Sequence, residues 1–167
     1  EATDALVQLS HRTAGSVHFH PWPGKGFGMA IWTRQALEQE APISLPYSTL
    51  PGSFPARSAQ TVKLNNITIA NVHLSHGQIL NRRQLHKIAC STIGPTVIMG
   101  DFNAVGPTIL KEFSDVGPQA PTHIAQNVLP FRLDRCLVRN LECTDTEIHD
   151  TQGSDHHPIV VQLKEPE

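Results

Sequence analysis

Asp101 and Asn103 stand two residues apart in Val97-Ile98-Met99-Gly100-Asp101-Phe102-Asn103-Ala104. One is an acceptor-only anion and the other both donates and accepts, a pair able to hold a water against an electrophile. The apolar run reads as a buried strand, and Gly100 lets the backbone turn sharply at its end. Side chains alternate along extended chain, so Asp101 and Asn103 would point the same way off the strand's tip. An Asx turn that merely caps the strand is the plainer alternative, and the octamer leaves both open.

A second carboxylate interrupts Arg132–Val138, which alternates as a strand with Leu133, Arg135 and Leu137 on one side and Asp134, Cys136 and Val138 on the other. Burying Asp134 without a partner would cost several kcal/mol. Arg135 falls on the opposite face. Gly153-Ser154-Asp155-His156-His157-Pro158 offers the partner: Asp134 bonded to His156 would fix the imidazole's tautomer and favour its protonated form. Asp155, directly before that histidine, is a metal-seeking anion beside an imidazole.

The elements around these stretches follow from periodicity and breakers. Ala5–Leu9 reads as a buried strand or a helix end, residues 11–16 as a turn or short helix, and Pro21–Gly28 as a loop, with its prolines and glycines. Met29–Thr33 is a strand, Pro42–Pro46 a brief one, and residues 47–56 a loop. Thr61–Leu64 and Ile67–Val72 form a hairpin through Asn65-Asn66, ending in His73-Leu74-Ser75-His76-Gly77. Ile79, Leu80, Leu85, Ile88 and Ala89 then recur at helical spacing, with Asn81-Arg82-Arg83 and Lys87 on the other side. Strand, helix, strand is the grammar of an α/β layer. Pro107–Phe113 reads as a short helix, Pro118–Pro130 as a loop or loose hairpin, Ile148–Gly153 as the lead into a loop, and Pro158–Leu163 as the last strand. No repeat or boundary divides residues 1–167, so one domain is expected.

The totals narrow the classes. With 39% hydrophobic and 17% charged residues, the 167-residue chain can bury a sizeable core. A formal net charge of −2 supplies no general basic field, so a phosphate-bearing substrate must be gripped locally, by a metal ion or a few Lys and Arg. Cys90, Cys136 and Cys143 have neither the number nor the spacing of a disulfide framework or zinc site, and are expected to be buried small hydrophobes. His18 and His20 alternate on one strand face but lack a third ligand at suitable spacing. No signal peptide or membrane-length apolar run is read, and a start at Glu1 rather than Met is compatible with a cytoplasmic protein or one secreted after processing.

Taken together, His73 in Asn71-Val72-His73-Leu74, Gly100-Asp101-Phe102-Asn103, Leu133-Asp134-Arg135 and Ser154-Asp155-His156 resemble the endonuclease/exonuclease/phosphatase superfamily, the fold of DNase I, over residues 26–163. The resemblance implies an α/β (α+β) four-layer sandwich of two mixed β-sheets flanked by helices. It also implies metal-dependent hydrolysis of phosphate esters, with Mg²⁺ as the cation and Mn²⁺ or Ca²⁺ as alternatives. Asp101 would orient or deprotonate the attacking water and contribute to the metal, and Asn103 would hold that water or a phosphate oxygen. Asp155 would bind the cation, His156 paired with Asp134 would stabilise the transition state, and His73 would donate to phosphate or the leaving oxygen. The family's first strand, with its Asn, has no counterpart, so an N-terminally shortened domain is expected, with a homodimer as one way to cover the gap. The metal-binding Glu of the second strand falls on Gln8 or Ser10, neither a charged ligand.

The resemblance leaves the substrate open. Arg82-Arg83, Lys25 and Arg57 favour DNA or RNA where they are more than solvated charges, and Lys25 and Arg82 are the candidate phosphate contacts. Trp22 and Phe27 could stack on a base or simply cover core. The expected activity is endonucleolytic cleavage of DNA or RNA. The alternatives are a phosphodiesterase or phosphatase acting on a lipid or small-molecule phosphate ester, and a noncatalytic binding protein on the same scaffold.

Overall fold

The apolar run that ends at Gly100 lies at the centre of a mixed sheet. The computed structural model describes residue 8 and residues 12–22, 24–48, 56–125, 129–151 and 153–166. Its strands are β1 (Ser16–Pro21), β2 (Gly28–Thr33), β3 (Glu38–Gln39), β4 (Ile43–Ser44), β5 (Ser58–Leu64), β6 (Ile67–His73), β7 (Thr96–Asp101), β8 (Ser114–Asp115), β9 (His123–Ala125), β10 (Leu129–Phe131), β11 (Asp134–Arg139), β12 (Glu142–Ile148) and β13 (Ile159–Lys164), and helix α1 spans Gln78–Ser91. The central sheet runs β3-β5-β6-β7-β11-β8, with β4 also on β5. Its β6–β7 pair is parallel and its β7–β11 pair antiparallel. Two-stranded antiparallel units β1–β2, β9–β10 and β12–β13 complete the described sheets. This is the α+β, DNase I-like arrangement that the motifs imply.

Alternation along β6, β7 and β11 gives the sheet two buried faces. Ala70, Val72, Ile98 and Leu137 pack with Leu85 and Ile88 of α1. Val97, Cys136 and Val138 face the other way and pack with Val161 and Leu163 of β13. Asp134, Cys136 and Val138 thus share a face, as expected.

The helix departs from its expected faces. Ile79 is 79% exposed, whereas Asn81 and Gln84 are buried. The reason is hydrogen bonding at the strand ends, where backbone groups have lost their ladder partners. Asn81 Nδ2 donates to Phe102 O. Gln84 Oε1 accepts from Ser75 N (2.9 Å), and its Nε2 donates to Pro46 O (2.7 Å). A buried amide meeting several such groups displaces an isoleucine that can satisfy none of them.

Other expectations need correction. Pro107–Phe113 is not a helix: it runs without regular structure into a turn closed by Phe113 N to Leu110 O (3.1 Å), with Glu112 at φ 68°. The segment is too short to repay helix nucleation, and Arg135 Nη2 takes the Gly106 carbonyl (2.6 Å) just before it. The loose hairpin within Pro118–Pro130 is β9–β10. Strand β12 carried no apolar alternation, because most of its residues are exposed. Of the cysteines, Cys136 is buried, Cys143 half-buried and Cys90 exposed on α1; all are free. His20 Nε2 bonds Ser58 Oγ (2.7 Å) and His18 Nδ1 bonds Gln39, so these two histidines serve separate local contacts.

Candidate active site

One row of the central sheet gathers three of the motifs. His73 of β6 pairs in register with Asp101 of β7, and Asp101 with Asp134 of β11. In-register partners point to one face, here the face toward β12–β13. Gly100 makes the row possible: its φ is 138°, and a Cβ there would sit 2.1 Å from Val72 O. Only glycine tolerates both the conformation and that approach.

Beyond Asp101 the chain folds back on itself. Asn103, at φ 48°, donates its backbone N–H to Asp101 Oδ1 (2.8 Å). Its Nδ2 donates to Asp101 Oδ2 (3.0 Å) and to Leu74 O (3.1 Å). The Asx turn and the chemical pair are therefore the same structure: the turn aims the carboxylate. Asn103 Oδ1 is the atom left to accept from a water.

His73 Nε2 lies 3.5 Å from Asp101 Oδ2. Burial first, then the charge of Arg57, push the His73 pKa below its ordinary value despite the pull of Asp101. Arg57 Nη1 donates to His73 O (2.7 Å), and its guanidinium stacks over Trp22 at 5.1 Å. Trp22 meets the His73 ring edge-on at 5.3 Å and Phe27 at the same distance. An aromatic and cationic wall thus rises directly beside the row.

On the other flank, His156 Nδ1 donates to Asp134 Oδ2 at 2.7 Å. Burial disfavours the charged imidazole, but this hydrogen bond and the charges of Asp134, Asp101 and Asp155 outweigh it and raise the His156 pKa. With Nδ1 engaged, Nε2 is the atom that can meet a substrate. Thr122, fully buried, places the pair: its Oγ1 accepts from Leu133 N (3.1 Å) and Asp134 N (2.9 Å), and its carbonyl accepts from His157 N (2.7 Å). A cavity of about 390 Å³ opens beside Asp134 and His156, floored by Met99, Gly100 and Ile159.

The structure thus brings together His73, Asp101, Asn103, Asp134 and His156. Asp155 adjoins them, 67% exposed, with its Oδ2 3.7 Å from His123 Nδ1. Carboxylates and imidazoles at one sheet end are a donor set that fits a divalent cation, and His123, Asp155 and His156 each offer a ligand atom within 4.8 Å of the others. Lys25 is exposed in a turn closed by its N–H to Trp22 O (3.0 Å), so it belongs to the loop beside His73. Arg82 is exposed on α1, the helix packed against the opposite face. Gln8 is exposed and helical rather than extended, and Ser10 lies outside the described residues. Thr122 and His123 escaped sequence reasoning because neither sits in a motif or a periodic segment; only the pairing of His123 with His156 reveals them.

The chain and its fold are similar to known proteins. A UPF0294 protein of Yersinia pseudotuberculosis is 26% identical over 137 residues, 76% of this chain and 52% of its own, and the chain spans about half the length of the curated relatives it matches. An endonuclease/exonuclease/phosphatase family protein from Leptotrichia buccalis superposes with a TM-score of 0.74 at 18% identity, covering 98% of this chain and 77% of that one. The human Nocturnin catalytic domain with bound sulfate gives 0.65 at 17% identity over 98% and 77%. Danio rerio TDP2 complexed with a single strand DNA product gives 0.66 at 12% identity over 96% and 82%. Residues 1–156 match the family model described as Endonuclease/Exonuclease/phosphatase family, and the chain belongs to that family of phosphate ester hydrolases.

Proposed function

We propose that the protein is a metal-assisted phosphodiesterase that hydrolyses nucleic acid, with DNA as the first substrate to test. One observation carries this reading: the row His73–Asp101–Asp134, with His156 clamped to Asp134 at 2.7 Å. A phosphodiester is an anion attacked by an oxygen nucleophile, so the protein must hold the water and supply positive charge as the transition state forms. Asp101, fixed by both donors of Asn103, orients the water and takes its proton. His156, favoured in its charged form, presents Nε2–H to the phosphate oxygens. His73, favoured in its neutral form, contributes a hydrogen bond beside Asp101 without adding a second cation. Asp155 and Asp101 are the carboxylates that would hold a hard divalent cation, which when bound would polarise the phosphate and lower the pKa of a bound water.

The preference for nucleic acid rests on the wall of Trp22, Phe27 and Arg57 beside His73. Phe27 is 53% exposed, and an exposed ring next to a phosphate site can stack on any base. The structural likeness to TDP2 holding a single strand DNA product supports the same assignment. The test compares hydrolysis of single- and double-stranded oligonucleotides with that of a phospholipid and an inositol phosphate, all in Mg²⁺. Oligonucleotide cleavage far above the others is expected. Faster turnover of the small esters would contradict the assignment.

A further inference from the structure

The geometry points to a Zn²⁺ site at His123, Asp155 and His156, which turns the hydrolase off when filled. This rests on the phosphodiesterase reading above and adds a regulatory cation distinct from the hard cation that hydrolysis needs. The three residues come from two segments pinned together by backbone. His123 and His156 form an antiparallel bridge, Ile124 N donates to Asp155 O (3.1 Å), and His157 N donates to Thr122 O (2.7 Å). The two imidazole rings lie 4.4 Å apart at 42°. Their ligand atoms and an Asp155 oxygen fall within 4.8 Å of one another. Zinc–ligand bonds of about 2.0–2.2 Å put tetrahedral donors roughly 3.4 Å apart, so side-chain movements of about an ångström would close the site.

Two further features mark it as a ligand site rather than a chance cluster. His123 Nδ1 is buried and has no hydrogen-bond partner among the described residues, with Asp155 Oδ2 too far at 3.7 Å, a cost that a bound cation would remove. His156 Nδ1 is held by Asp134, and this carboxylate–histidine arrangement fixes the tautomer that offers Nε2 to a metal. The donor set also selects the ion. Two imidazoles and one carboxylate suit Zn²⁺, whereas Mg²⁺ takes oxygen donors in near-octahedral array and keeps its waters.

Occupancy opposes the reaction for a simple reason. A cation on His156 Nε2 takes the place of the N–H that the phosphate needs, and it draws off Asp155 as well. The coordination is three protein ligands with one open position, so a bound water or a phosphate oxygen completes it. No covalent bond in protein or substrate changes.

Co²⁺ substitution reads the site directly, without reference to activity. The full chain, stripped of metal, is titrated with Co²⁺ and followed by its visible ligand-field bands, then back-titrated with Zn²⁺ and with Mg²⁺. One equivalent of Co²⁺ showing four-coordinate nitrogen-containing bands is expected, displaced by stoichiometric Zn²⁺ and not by millimolar Mg²⁺. His123→Gln is expected to weaken binding roughly 100-fold or more, at or beyond the upper end of the effect of losing a supporting residue. Asp155→Asn, at a side chain that is 67% exposed, is expected to weaken it as well, which covers the case in which His123→Gln fails to fold. Binding that is absent, unchanged in both variants, or displaced equally by Mg²⁺ overturns the proposal. Cleavage in Mg²⁺ alone tests the phosphodiesterase reading separately, so either can fail without the other. In active protein, Zn²⁺ is expected to suppress cleavage, with His123→Gln less sensitive.

Discussion

Asp101 and Asp134 stand opposite each other across the β7–β11 ladder, two carboxylates in register, and each is met by a histidine. Like charges directly opposite destabilise a sheet pair unless something offsets them. Here the offset is asymmetric: His156 donates to Asp134 at 2.7 Å, while Asn103 rather than His73 makes the short bonds to Asp101. The pair is thereby divided into a carboxylate that favours the charged form of an imidazole and one whose orientation is fixed by a turn.

That division predicts the effect of Asp134→Asn. The amide keeps the shape but no longer favours the imidazolium. Cleavage is expected to fall by about 10²–10⁴-fold, the range for a positioned acid–base group, with little change in substrate KM. Steady-state kinetics on an oligonucleotide check this. An unchanged kcat would place the catalytic charge elsewhere.

The two histidines set the pH behaviour. His156 has a raised folded-state pKa, so its contribution to stability is complete below the unfolded value and is lost as pH rises through the folded one. His73 has a lowered pKa, so it works in reverse: the contribution is present above the unfolded value and is lost as pH falls through the folded one. Neutral His73 and charged His156 coexist between the two. A bell-shaped rate profile spanning that window is expected, and Asp134→Asn should move its alkaline limb toward acid. Thermal melts in EDTA across the same range separate stability from catalysis.

Thr122 is expected to matter as a positioning residue. Thr122→Val keeps the volume but strips one acceptor from the buried Leu133 N–H and the half-buried Asp134 N–H. A loss of about 1–3 kcal/mol is expected from denaturant unfolding. The pH profile should shift as well, because Asp134 loses its anchor; a purely structural role would lower stability and leave the profile alone.

Phe27→Ala probes the substrate wall. The ring is 53% exposed, so stability should change little. Affinity for a single-stranded oligonucleotide should drop by roughly 1–3 kcal/mol if a base stacks there. Equilibrium binding in EDTA, where metal-assisted cleavage is off, measures it, and unchanged affinity would assign the ring to covering Trp22.

Much of this site was legible because its residues sit at strand ends next to breakers. Gly100 announces the tip of β7, and the alternation of β11 exposes Asp134 as the odd charge on a buried face. The partner of Asp134 could be found by elimination, since Arg135 points the other way. What stayed hidden depends on tertiary pairing. Asn81 reads as part of a polar helix face and Gln84 has no place in the helical pattern, yet both turn inward to serve carbonyls and an amide of the loops at the strand ends. Thr122 and His123 lie in a hairpin with no period to place them. Strand β12 is polar throughout its middle, so nothing in its pattern separates it from loop.

The most direct test of the central claim is nicking of supercoiled plasmid in Mg²⁺, Mn²⁺ or Ca²⁺, with EDTA and His156→Ala alongside. The expected result is conversion to the open circle that requires metal and falls at least 100-fold in the variant, the lower range for losing a transition-state donor. Metal-independent nicking, or nicking that survives unchanged in His156→Ala, would contradict the assignment of His156 and Asp134 to catalysis.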